Sequence, residues 1–349
     1  MFDKNLGYKL INKIKKSGKI SISEESKCYY HCKVNGEPKI ISLNKDLRDS
    51  TILNFNEIHR YKFTGNYLLI SFKNGYTEII NLKTNNKVKI EEKLSFVLTY
   101  ENQGYIIINS TNNLLIYDKI ESTIEEFTFY KELIFKAITD SKLIFYGNEG
   151  NKIFIFDIDL IINHKQKSYE NIPFITWSDT NENTTLYEII IRDQLLLILK
   201  GTSVICLNIE TGKVVWSLNS EIAKQMGVIS GEYLYTASNT SLTKIAIASG
   251  EVEYAIRFQK EYQLEKLITL YGIEDLTLFK NELWAYTKFG TLSLVCIDKE
   301  TAYFKKVIPL ESLGIKTGIF SFQFYKDKLF IHDYDYTLHI FEKEETDLI

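Results

Sequence analysis

The chain has 349 residues, 45% apolar, 13% aromatic and 25% charged, with a formal net charge of −3, a composition that buries a large core and argues against intrinsic disorder. That charge, with no dense Lys/Arg block beyond the short stretch 13–19, speaks against nucleic acid as a partner. No apolar run reaches about 18 residues and the opening MFDKNLGYKLINKIKKSGK lacks a signal-peptide core, so no membrane association is expected and the compartment is read as cytoplasmic.

Length alone leaves the domain number open, but 23 Tyr and 21 Phe against only 3 Pro favour strands. Taken in order, residues 8–15 (YKLINKIK) read as a strand, followed by a short strand at 19–23. From there one unit recurs: an apolar strand, a turn rich in Gly, Asn or Asp, and a second strand. Its turns are marked by Gly36, Gly75, Asn112, Gly150, Gly201, Asn239, Gly290 and Asp335. The markers recur on average about every 43 residues, near the length of a four-stranded propeller blade.

Each interval has room for flanking strands, for example 96–100 and 123–129 around the third hairpin. With the strands of a unit lettered A to D, the B strands are often continuously apolar, as in Leu195-Leu196-Leu197-Ile198-Leu199, which means burial on both faces. A parallel α/β fold would need helical patterns between strands, and these are nearly absent. The expectation is therefore an all-β chain forming a single β-propeller domain over residues 1–349. Eight blades are favoured, with seven and an appended hairpin as the alternative. The last unit, 319–341, lacks a fourth strand, and residues 8–15 are expected to supply it and close the ring.

The segment GTSVICLNIETGKVVWSL, from Gly201 to Leu218, resembles the repeat of the quinoprotein-like (pyrroloquinoline-quinone-like) propeller superfamily through Gly201, Leu207, Thr211, Gly212 and Trp216, with Asn208 where Asp is usual. Ser249-Gly250 with Tyr254 forms a degraded copy, and Lys83-Thr84-Asn85 occupies the equivalent turn of the second unit. The resemblance implies the fold, with a tight C–D turn at Thr211-Gly212 and Trp216 packed between blades, and implies no activity. The quinone enzymes of that group use a vicinal Cys pair and an acidic calcium site; the chain has no Cys-Cys, and no cofactor is expected.

Candidate sites follow from placement. Cys28 and Cys32 lie about 13 Å apart on an extended strand, with His31 facing the other way, so they cannot share a metal ion; all four cysteines, including Cys206 and Cys296, read as reduced structural thiols. His332 and His339 are placed on one face of the last hairpin with Asp333 and Asp335 at its turn, but no third ligand is evident and turn chemistry is the preferred reading. Inner strands contribute Arg60, Lys62, Lys136, Glu188, Arg192 and Gln323 as candidate channel residues. In a propeller the B–C turns and D–A links open on one face, where three long links, 219–227, 259–272 and 309–318, are placed, the first two with short helical segments. They carry the candidate partner-binding residues Glu221, Lys224, Glu261, Tyr262, Glu265, Lys266, Glu311 and Lys316. The insertion 160–184 is expected between strands C and D of the fourth blade, on the opposite face.

No catalytic, metal or phosphate-binding motif is present, so no catalytic residue is assigned. The preferred reading is a non-catalytic, monomeric protein-binding propeller, a scaffold or bacterial immunity-type protein, that holds another protein with loops on one face. The alternative is an enzyme or small-ligand binder with its site at the channel mouth.

Overall fold

A computed structural model describes residues 8–15, 21–22, 28–34, 37–43, 49–54, 58–94, 98–101, 104–109, 113–128, 133–139, 141–147, 152–163, 174–178, 186–201, 203–219, 226–238, 241–257 and 270–343. Among these the chain forms eight four-stranded antiparallel sheets. Seven are meanders with strands A to D in chain order, within 21–54, 58–90, 98–128, 133–178, 186–219, 226–257 and 270–309. The eighth takes strands A to C from 319–343 and its fourth strand, Tyr8–Ile14, from the other end of the chain. Tyr8–Ile14 runs antiparallel to Leu338–Lys343, with Tyr8 opposite Lys343 and Ile14 opposite Leu338. Without it, strand C would present a row of unsatisfied backbone groups at a bare edge.

The described residues fall into two compact units, 1–19, 184–207 and 214–349 in the first, 20–183 and 208–213 in the second. In the first, neighbouring sheets pack face to face through B and C strands whose side chains alternate between two cores. Leu234 joins Leu197, Leu199 and Val204 of the fifth sheet, while the next residue, Tyr235, joins Leu283, Ala285 and Val295 of the seventh. Period-two alternation therefore serves two apolar faces, which is why these strands are apolar throughout. In the second unit Leu69 and Ile79 meet Ile106 and Ile108, and Ile107 meets Leu143 and Phe145. The D strands are wetter: Val214–Asn219 alternates between exposed and half-buried side chains.

Four of the C–D turns share one geometry. In each, the first residue donates its N–H to the carbonyl five residues on and accepts from the N–H four residues on, as at Asn81/Asn85, Asn208/Gly212, Ala246/Gly250 and Asp298/Ala302. The last residue of each pair has positive φ, from 58° at Ala302 to 75° at Gly250. Side chains reinforce the turn, Asn208 Oδ1 accepting from the Thr211 N–H and hydroxyl and Asp298 Oδ1 from the N–H groups of Glu300 and Thr301. Two of these turns then seat an aromatic residue of the preceding sheet. Trp216 donates its indole N–H to Ile247 O at 2.7 Å, and Tyr254 donates its hydroxyl to Lys299 O at 2.9 Å, the same position one sheet later. A Cβ on Gly250 would stand 2.6 Å from the Trp216 ring. The expected packing of Trp216, and of Tyr254 in its place, is thus present.

Two expectations need adjusting. The insertion does follow the fourth C strand, opening on a helix at Ile158–Asn163 that was not expected, but strand D, Phe174–Ser178, lies inside 160–184 and the insertion proper is shorter. The link 309–318, for which no helix was expected, carries a helical turn, Leu310–Leu313, ended by Gly314 at φ 71°; the two links expected to be helical lie largely outside the described residues.

Candidate functional site

Strand A of the eighth sheet, Ile319–Tyr325, pairs with strand B, Lys328–Asp333, but the register skips between Ile319 and Ser321. The bulge leaves Phe320 unmatched, and a bulged residue is re-aimed out of the ladder; its ring is 48% exposed. The B–C turn that follows adds Tyr334 and Tyr336, exposed at 41% and 58%. The Phe320 centroid lies 4.6 Å from that of Tyr334, edge to face, 5.4 Å from Tyr336 and 5.4 Å from the buried His332 ring. Three half-exposed rings thus form one contiguous surface, in the offset and tilted geometries that aromatic quadrupoles prefer.

The turn that carries Tyr334 and Tyr336 is held by polar bonds on the other face of the sheet. Asp333 is buried, accepting from the Thr337 N–H at 2.8 Å and pairing with His339 Nε2 at 2.7 Å through its other oxygen. His339 is buried as well, with Nδ1 lacking a partner. The D–A link is stitched to the same turn by the Tyr334 N–H to Gly318 O bond of 3.0 Å. A Cβ on Gly318 would meet the Tyr334 ring at 2.5 Å, so glycine lets the ring lie close against the link. Leu310 and Ile315 anchor the link in the core, which leaves Glu311 and Lys316 exposed on it.

These two are the described members of the partner-binding set; Glu221, Lys224, Glu261, Tyr262, Glu265 and Lys266 lie outside the described residues. Phe320, Tyr334 and Tyr336 were not singled out from the sequence. The signal was there in an aromatic residue, Tyr336, at a turn position where glycine belongs. The placement of His332 and His339 on one face is corrected by the register: His339 stands opposite Ile331 and His332 opposite Leu338, so the two imidazoles lie on opposite faces. Among the described residues no group of three or more His, Cys, Asp and Glu is placed to hold a metal.

The channel set divides between the two units. In the second, Arg60 is exposed and Lys62 half-buried on strand Ile58–Thr64. Lys136 occupies the bulge between Phe135 and Ala137, its ammonium 5.9 Å over the Tyr146 ring, where burial lowers its pKa. In the first, Glu188 accepts from the Gly227 N–H of the next A strand at 2.7 Å; burial raises its pKa against that bond. Arg192 sits at its A–B turn, donating to Gly231 O and pairing with Asp193 and Glu232. Gln323 is exposed. Cys206 and Cys296 are buried and free, their thiols pushed up by burial to about 11 and about 12, values that suppress thiolate chemistry. The side chains of Cys28, His31 and Cys32 lie outside the described residues.

No protein-family profile matches the chain, and no curated protein sequence matches it. Solved structures do. BamB from Moraxella catarrhalis is similar with a TM-score of 0.62 at 9% identity, over 96% of this chain and 99% of that one. The computationally designed Ika8 protein gives 0.63 at 12%, over 96% and 98%, and the dihydro-heme d1 dehydrogenase NirN in complex with DHE gives 0.60 at 9%, over 84% and 66%. At such identities the likeness shows the fold alone. The fold is a β-propeller of four-stranded antiparallel sheets, similar to the quinoprotein-like propellers that the Gly201–Trp216 segment resembles.

Proposed function

We propose that this chain is a non-catalytic protein-binding propeller: one domain of eight blades, closed by Tyr8–Ile14, acting as a monomer in the cytoplasm and holding another protein on the face of its B–C turns and D–A links. The observation that carries the reading is the surface of Phe320, Tyr334 and Tyr336. Three large rings left half-exposed on a backbone fixed by Asp333, His339 and Gly318 form a preorganised patch of the residue types that dominate binding energy at interfaces. Glu311 and Lys316 on the adjoining link supply the polar rim. The likeness to other propellers supports the scaffold and not the partner.

The test is affinity capture from the native cells with wild type and with Phe320→Ala/Tyr336→Gly, both first checked for equal melting. The reading expects one stoichiometric protein partner on wild type and its loss on the variant. Recovery of no stoichiometric protein by wild type would overturn it.

A further inference from the structure

We infer that the Phe320–Tyr334–Tyr336 surface takes a cationic side chain of its partner, an arginine or lysine; the inference rests on the protein-binding reading above and names the chemistry of that same site.

The B–C turns of the second and eighth sheets are the same five-residue turn. In one, Phe72 N–H bonds Tyr76 O and Gly75 N–H bonds Phe72 O; in the other, Asp333 N–H bonds Thr337 O and Tyr336 N–H bonds Asp333 O. The fourth position has positive φ in both, 102° at Gly75 and 56° at Tyr336. Glycine suits that conformation and a bulky aromatic residue is disfavoured in it. Core packing does not explain the tyrosine, because its ring is the most exposed of the three. A strained backbone that holds an aromatic ring in water points to a ligand for the ring.

The ring faces are negative, and the charges nearby select the ligand's sign. Asp335, exposed between Tyr334 and Tyr336, adds a carboxylate to the same turn. The chain elsewhere covers its own tyrosine faces with ammonium groups: Lys89 lies 4.7 Å over Tyr76, in the sister turn, and Lys244 lies 4.1 Å over Tyr233. Among the described residues no Lys or Arg lies over Phe320, Tyr334 or Tyr336. A cation over this cluster would gain both the ring quadrupoles and the Asp335 charge, an advantage that an apolar anchor of the same size lacks.

The probes are three capped tripeptides, Gly-Arg-Gly, Gly-Lys-Gly and Gly-Leu-Gly, titrated into the full chain labelled at its tyrosine rings, with the NMR signals of Tyr334 and Tyr336 assigned from Tyr→Phe variants. The arginine and lysine peptides are expected to move both signals saturably and to bind roughly five-fold or more tighter than the leucine peptide. Asp335→Asn should weaken only the cationic peptides. Tyr336→Phe should retain binding, whereas Tyr336→Gly should abolish it with the melting temperature unchanged or raised. A leucine peptide that binds as tightly as the arginine peptide, signals that no peptide moves, or binding that survives Tyr336→Gly would overturn the inference. If these fail while wild type still captures a stoichiometric protein, the cation chemistry falls and the protein-binding reading stands; if the peptides bind and no protein is captured, the reverse holds.

Discussion

At Glu188 two effects oppose each other: burial penalises the carboxylate, while the Gly227 N–H favours it, and burial wins. The folded carboxyl therefore keeps its proton to higher pH than the unfolded one, the folded state binds more protons, and stability falls as pH rises from the ordinary carboxyl range through the raised value. Glu188→Gln keeps an oxygen for Gly227 and removes the titration. Its melting temperature should match wild type near about pH 4 and exceed it at neutral pH; thermal scans across that range check the sign, and a variant less stable at neutral pH would contradict it. Asp333 is the second residue of consequence. Asp333→Ala leaves the buried His339 and the Thr337 N–H without their acceptor, and should cost about 2–3 kcal/mol in denaturant titrations. Neither role was legible in the sequence. Glu188 reads as a channel-wall charge until the neighbouring strand places Gly227 beside it, and Asp333 reads as a common turn residue until the register turns His339 toward it.

The element that repeats most faithfully is the C–D turn with the aromatic residue it seats. Trp216→Ala removes a large ring between sheets and the bond to Ile247 O, and should destabilise by about 3–5 kcal/mol. Gly250→Ala forces a Cβ into that ring at a φ of 75° and should cost about 2 kcal/mol or more. Urea unfolding of both variants checks the pair, and because each acts through the same contact their effects should be less than additive. Thr211-Gly212, Ser249-Gly250 and Lys83-Thr84-Asn85 were readable as copies of this turn because they keep Gly or Asn, residues that tolerate positive φ. Asp298/Ala302 has the same hydrogen bonds but hides the turn, since Ala302 adopts a φ of 58° that its side chain gives no reason to expect.

At the scale of the molecule the testable feature is the strand shared by the two chain ends. Deleting residues 1–15 bares the edge of Leu338–Lys343, and light scattering should then show association beyond that of the full chain, with a lower melting temperature. A synthetic peptide YKLINKIK added in trans should reverse both, and a truncated chain that stays monomeric with unchanged melting would refute the closure. The sequence by itself determined the eight hairpins, the apolar B strands and the need for a fourth strand at the end, because period-two alternation, turn residues and an uncovered edge are local properties written along the chain. Only the tertiary structure decided where the side chains converge. The bulge that turns Phe320 outward, the register that puts His332 and His339 on opposite faces, and the positive φ that Tyr336 accepts all depend on pairing between segments. A one-residue shift in pairing exchanges the faces of a strand, and no local pattern specifies it.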